Sequence, residues 1–226
     1  MGSVVLLVVF FAALSQWSRT GTGEGDQIKT VSAQATPSTP PALDVAQEER
    51  RRKRLAELKS HFIEAKDEFS SATVIRHRAF NRYVNYNGTT LFVEIVRIDV
   101  PPGIAANTAR IKAVKALKMI SVYVSEHDWI FQESFTVKVG DLQLTAKGKT
   151  DREVIFGGGL YETVTASLED SKAIAGLIML AQNHPMVRVR LMGTSYQKDY
   201  TLRLAHQMAI AETAEYYELL EGADHT

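Results

Sequence analysis

The chain has 226 residues, 45% of them hydrophobic, and balances 26 Lys+Arg against 26 Asp+Glu. A chain of this size buries a real core in one large or two small domains, and its zero net charge supplies no long-range pull toward nucleic acid or an anionic membrane. Cysteine is absent, which excludes disulfides, thiolate metal sites, cysteine nucleophiles and lipid attachment through cysteine, and leaves the redox compartment open.

The chain opens with MGSVVLLVVFFAALSQWS, whose apolar run from Val4 to Leu14 is unbroken. That run has the length of a signal-peptide hydrophobic region and falls short of the ~20 residues that span a bilayer. Ala13-Leu14-Ser15 offers small residues at a peptidase spacing, so residues 1–15 are expected to be a signal peptide or short membrane anchor. Met1-Gly2-Ser3 lacks the usual basic residue, and Leu6 excludes myristoylation at Gly2. A buried N-terminal strand is the competing reading. The Ser/Thr/Gly/Pro tract over residues 16–42 argues against it, because such a stretch buries too little apolar surface to offset its ordering entropy and reads as a disordered linker. The expected location is periplasmic or secreted, with residues 4–17 as an anchor if cleavage does not occur.

Residues 43–71 read as an amphipathic helix. Asp44 is a fair N-cap with Gln47 three residues on, and Leu55, Leu58, Phe62, Ala65 and Phe69 follow heptad spacing. One use of that stripe is packing on its own domain; another makes Leu55, Leu58, Phe62 and Phe69 an oligomer seam. The basic run EERRRKR (48–54) reads first as a solvated helical face and second as a contact for acidic lipid or a partner.

An α+β domain is expected over residues 72–222, with a short tail at 223–226. RHRAFNRYVNYNG (76–88) interleaves arginines with aromatics, as single-strand nucleic-acid binders do. With zero net charge, an amphipathic segment placing Phe80, Tyr83 and Val84 inward is the better reading. Strands are expected at 90–98, 119–125, 129–139, 142–148, REVIF before Gly157, LYETVTA after Gly159, and 186–193. Residues 105–118 read as a short helix, Lys149-Thr150-Asp151 as a turn, Ser167 as the cap of a helix ending at Asn183-His184-Pro185, and about 201–221 as a last helix. The sum is an α+β fold. It has a mainly antiparallel sheet of about five to six strands, two C-terminal helices on one face, and a long N-terminal helix before it.

Chemical motifs are sparse. Gly148-Lys149-Thr150 resembles the end of a phosphate loop, but Gln143 stands where the leading glycine is needed. Gly157, Gly158 and Gly159 are contiguous, residue 162 is Glu162, and a strand follows, so no dinucleotide loop forms. They read as a hairpin bend or bulge. Six histidines stand at 61, 77, 127, 184, 206 and 225, with no pair at the i, i+4 spacing of a helical zinc site. No catalytic residue, metal or cofactor is assigned. Glu126-His127-Asp128 is the densest polar turn and the place for a hydrolase site, if there is one.

Arg188 and Arg190 share one strand face, with Tyr196, Lys198 and Tyr200 just beyond. Arg188, Arg190, Lys198 and Tyr196 are therefore the candidate partner- or anion-binding residues. The competing reading pairs these arginines across strands, for example with Glu153 or Glu162. The expected function is an exported, non-catalytic binding or assembly protein of the cell envelope that engages a protein or glycan. It needs no nucleic acid and touches membrane only through its N-terminal segment. An extracytoplasmic hydrolase at the Glu126-His127-Asp128 turn, or a structural subunit self-assembling through the 55–69 seam, are the alternatives.

Overall fold

The computed structural model describes residues 42–66, 72–85, 88–99, 113–155, 159–181 and 186–223. The expected signal segment and almost all of the linker, as well as Phe69, Gly157 and Gly158, lie outside these residues. In chain order the elements are α1 (Ala42–Lys59), β1 (Phe62–Lys66), β2 (Ala72–His77), a 3-10 helix (Arg78–Asn85), β3 (Thr90–Asp99), β4 (Ala113–Ser125) and β5 (Gln132–Val139). They continue with β6 (Leu142–Val154), β7 (Leu160–Ala166), α2 (Leu168–Leu180), β8 (Val187–Gly193), β9 (Gln197–Leu202) and α3 (Leu204–Ala223). Among the described residues the nine strands form one antiparallel sheet in the order β1-β2-β3-β4-β7-β6-β5-β8-β9. No described helix is long and apolar enough to cross a membrane.

This corrects the expected fold in five places. The sheet has nine strands, not five to six, and only α3 is C-terminal, because the β8–β9 hairpin separates it from α2. The long N-terminal helix stops at Lys59: the His61 amide closes the last turn on the Leu58 carbonyl, and Phe62 then pairs with His77 as β1 meets β2. Residues 113–118, expected to be helical, continue β4, where every residue from Ala113 to Lys118 has a register partner in β3. Lys149-Thr150-Asp151 is not a turn, since β6 runs straight through it and pairs with β7 there.

Two long strands give the sheet its shape. β4 pairs with β7 only through Ile120–Ser125, and β6 pairs with β7 only through Gly148–Val154. The first half of β4 therefore loses its neighbour, as does the first half of β6. Helix α2 packs on β4, β5 and β6 where these neighbours part. There the buried Ser171 hydroxyl accepts the Met119 amide at 2.9 Å and donates to the Ser167 carbonyl at 2.6 Å. One helix side chain thus satisfies a strand N–H that the ladder abandons. Ser171→Ala is expected to cost about 1–3 kcal/mol, the range for orphaning a buried donor. Chemical denaturation would read this as a lower midpoint with an unchanged slope.

Helix α2 carries the expected cap, with the Ser167 hydroxyl accepting from the Asp170 amide, and it buries Ile174, Leu177 and Ile178. Helix α3 buries Ile210, Ala214 and Tyr217, while Leu204 and Met208 face solvent. It packs on β2, β3, β4 and α2. Helix α1 docks on α3 through polar groups. Arg54 forms a two-pronged pair with Glu215 at 2.7 and 2.8 Å, and Arg51 donates to the Leu219 carbonyl at 2.8 Å. Two of the five basic residues in the run at 48–54 are thereby used inside the domain.

Candidate functional site

The expected arginine patch is taken apart by the register of β8 and β9. Arg190 lies opposite Asp199 and grips its carboxylate with two 2.7 Å bonds, holding that acid below its usual range. The partner is Asp199, not Glu153 or Glu162. Lys198 is opposite Leu191, on the other face of the ladder. Tyr196 is exposed, and a hydrogen bond with Tyr123 pushes its hydroxyl up to about 12. What remains is Arg188, exposed and directly across from Lys138 of β5, with Thr201 on its other side. Neither Arg188 nor Lys138 forms a salt bridge among the described residues.

The seam residues also part company. Leu58 and Phe62 are buried in the domain's own core, and the Phe62 ring stacks on Tyr216 at 4.5 Å. Leu55 packs against that core from the helix. Because Phe62 already belongs to β1, no single helical face carries the heptad, and its buried members are not available to a second copy. Glu126, His127 and Asp128 are all exposed. The Ser125 hydroxyl accepts the amides of His127 and Asp128, each at 3.2 Å, so this turn is organised by the serine that enters it. In the 76–88 segment Arg76 pairs with Glu94, Arg78 donates to the Ser60 carbonyl, and Phe80 is fully buried. The described arginines and Phe80 of this segment are used internally.

A cluster that the sequence did not announce lies at the β1–β2 end of the sheet. His61 ends the turn after α1, His77 is the last residue of β2, and Glu212 sits in the middle of α3. One oxygen of Glu212 meets both rings: Oε2 is 2.8 Å from His61 Nδ1 and 3.0 Å from His77 Nε2. The two imidazoles pack edge to face at 5.9 Å, and Phe62 closes on His77 at 5.3 Å.

The protonation pattern follows from the bonds. His77 Nδ1 accepts the Ala79 amide at 3.1 Å, so the ring proton of neutral His77 is on Nε2, where it donates to Glu212. Burial lowers the His77 pKa, and the His61 charge adds to this against the pull of Glu212. Burial alone would raise Glu212, but the hydrogen bonds from His61 and His77 outweigh it and hold the carboxyl below its ordinary range.

His61 and His77 are sixteen positions apart in sequence. They meet because Phe62 pairs with His77 and the Arg78 amide donates to the His61 carbonyl. The only sequence signal was a histidine on each flank of an unrecognised hairpin.

A second exposed feature is the first half of β6. Leu142 and Leu144 are 60% and 37% exposed although they lie opposite the core residues Val139 and Val137. On its other side this half-strand has no partner among the described residues. It is a strand edge without a strand partner on the β7 side, and its leucines are exposed. Compared with known families, curated proteins and solved structures, the chain matches none of them.

Proposed function

We propose that the chain is an exported, non-catalytic binding or assembly protein of the cell envelope, and that it engages a protein partner in extended conformation along the first half of β6. The observation that carries this reading is the unpaired edge at Leu142–Lys147 with Leu142 and Leu144 exposed beside it. An added strand satisfies such an edge with main-chain hydrogen bonds, and alternate side chains supply apolar contact. Lys138, Lys147 and Arg188 lie exposed on strands around this edge, so acidic residues flanking the partner's apolar segment complement it. Export rests on the Val4–Leu14 run and the polar tract after it.

The test uses the tagged full chain in cells, with a photo-crosslinking residue at position 142 or, as control, at the exposed Lys53 of α1. Extracytoplasmic recovery and one discrete adduct from position 142 alone are expected. Recovery solely in the cytosol, or the same adducts from both positions, would overturn the reading.

A further inference from the structure

We propose that His61, His77 and Glu212 form a binding site for one divalent transition-metal cation of the zinc class. Their ligand atoms all lie within 4.8 Å of one another. Two imidazole nitrogens and one carboxylate oxygen are the donor set that zinc accepts, whereas calcium and magnesium demand oxygen donors. With metal–ligand bonds of ~2.1 Å at tetrahedral angles, neighbouring ligand atoms stand about 3.4 Å apart. The present separations of 2.8 and 3.0 Å need open by only about half an ångström to admit the ion.

The three ligands come from the β1–β2 hairpin and its entry turn and from α3; the Phe62–Tyr216 stack holds hairpin to helix, and the Arg54–Glu215 pair fixes α1 to the same helix. Chain entropy is therefore spent before the ion arrives. The side chains of His77, Glu212 and His61 are 14%, 25% and 42% exposed, so the site opens toward solvent beside His61. Three protein ligands with one accessible side is the pattern that leaves a fourth position for water or an exchangeable ligand.

The surroundings also set a ceiling on affinity. Metal at His77 Nε2 moves the ring proton to Nδ1, where the Ala79 amide now donates. That bond must be released, and His77 then lacks the acceptor that ligating histidines normally have at their second nitrogen. Affinity is accordingly expected to be about 10–100-fold weaker than at a zinc site with that support.

The full chain without a histidine tag, stripped with chelator and titrated with zinc chloride in a calorimeter, tests the site. One ion per chain should bind, with a rise in melting temperature that calcium and magnesium do not reproduce. His61→Ala removes a half-exposed ring and leaves the zinc-free melting temperature close to that of the parent. It should weaken zinc binding at least 100-fold, as should Glu212→Gln, while His127→Ala in the exposed turn should not. Absence of saturable zinc binding in the parent chain would overturn the proposal, as would parental affinity in His61→Ala.

Discussion

Glu162→Gln is expected to lower the unfolding free energy by about 3 kcal/mol, the upper end of the range for leaving buried donors unsatisfied. Glu162 is 1% exposed and serves the segment entering β5. Its Oε1 accepts the amides of Ile130 at 2.8 Å and Phe131 at 3.2 Å, and its Oε2 accepts the Gln132 amide at 2.6 Å. Arg152, opposite it on β6, supplies the charge at 3.3 Å and also donates to the Gln132 carbonyl.

Three successive amides can converge on one carboxylate because Phe131 takes a left-handed conformation, φ 55°. A residue of this kind rarely adopts it without external support. Glutamine keeps the shape but replaces one acceptor oxygen with an NH2 group facing backbone N–H. Buried donors are left unsatisfied and Arg152 loses its counter-charge. Urea unfolding monitored by far-UV circular dichroism measures the loss. A change below about 1 kcal/mol would show that the loop, and not the carboxylate, fixes this corner.

Gly148→Ala is the second large effect, expected at about 3 kcal/mol, the upper end of what overpacking usually costs. A Cβ on Gly148 would stand 1.7 Å from the Thr165 carbonyl oxygen and 2.6 Å from its carbon. The obstacle is backbone, so no rotamer relieves it. Gly148 is the residue at which β6 first pairs with β7, opposite Ala166. Moving that backbone would pull apart the ladder that joins the two halves of the sheet. Gly176→Ala provides the contrast. It lies inside α2 with nothing within 4 Å of an added Cβ, so the usual helix preference applies and stability should rise by about 0.5–1 kcal/mol. Thermal unfolding of the two variants should move in opposite directions.

These positions also show what could be read from sequence. The capped helix α2 was legible because its signal is local: Ser167, Asp170 and an apolar stripe within fifteen residues. The helical reading of 43–71 held to Lys59 and failed beyond it, because Leu58 and Phe62 obey heptad spacing while serving the same core from two element types. Local spacing cannot tell a stripe on one helix from a helix followed by a strand. Of the helix expected over 105–118, residues 105–112 lie outside the described residues; in the rest alanine and lysine favour helix, yet the β3 ladder holds Ala113–Lys118 extended.

The strand expected over 129–139 begins only at Gln132, because the left-handed Phe131 and the register shift between Gln132 and Ser134 expose one ring and bury Ile130. The His61–His77–Glu212 cluster was out of reach because it depends on a register and on α3, neither of which spacing encodes. Arg188 and Arg190 were correctly placed on one face, but the neutralisation of Arg190 by Asp199 required knowing how β9 returns.

Helix α3 closes the core over strands far from it in sequence. Glu212 meets His77 across 135 positions, and Leu219 meets Arg51 across 168. Contacts of such separation form late, after a large loop-closure entropy has been overcome, so this topology favours slow folding. Chains arrested before α3 would leave the face of Ile75 and Ile95 uncovered, an invitation to aggregation that a holding chaperone would relieve. On the export proposed above, the same delay would keep the polypeptide threadable, because the core stays incomplete until its most distant helix arrives.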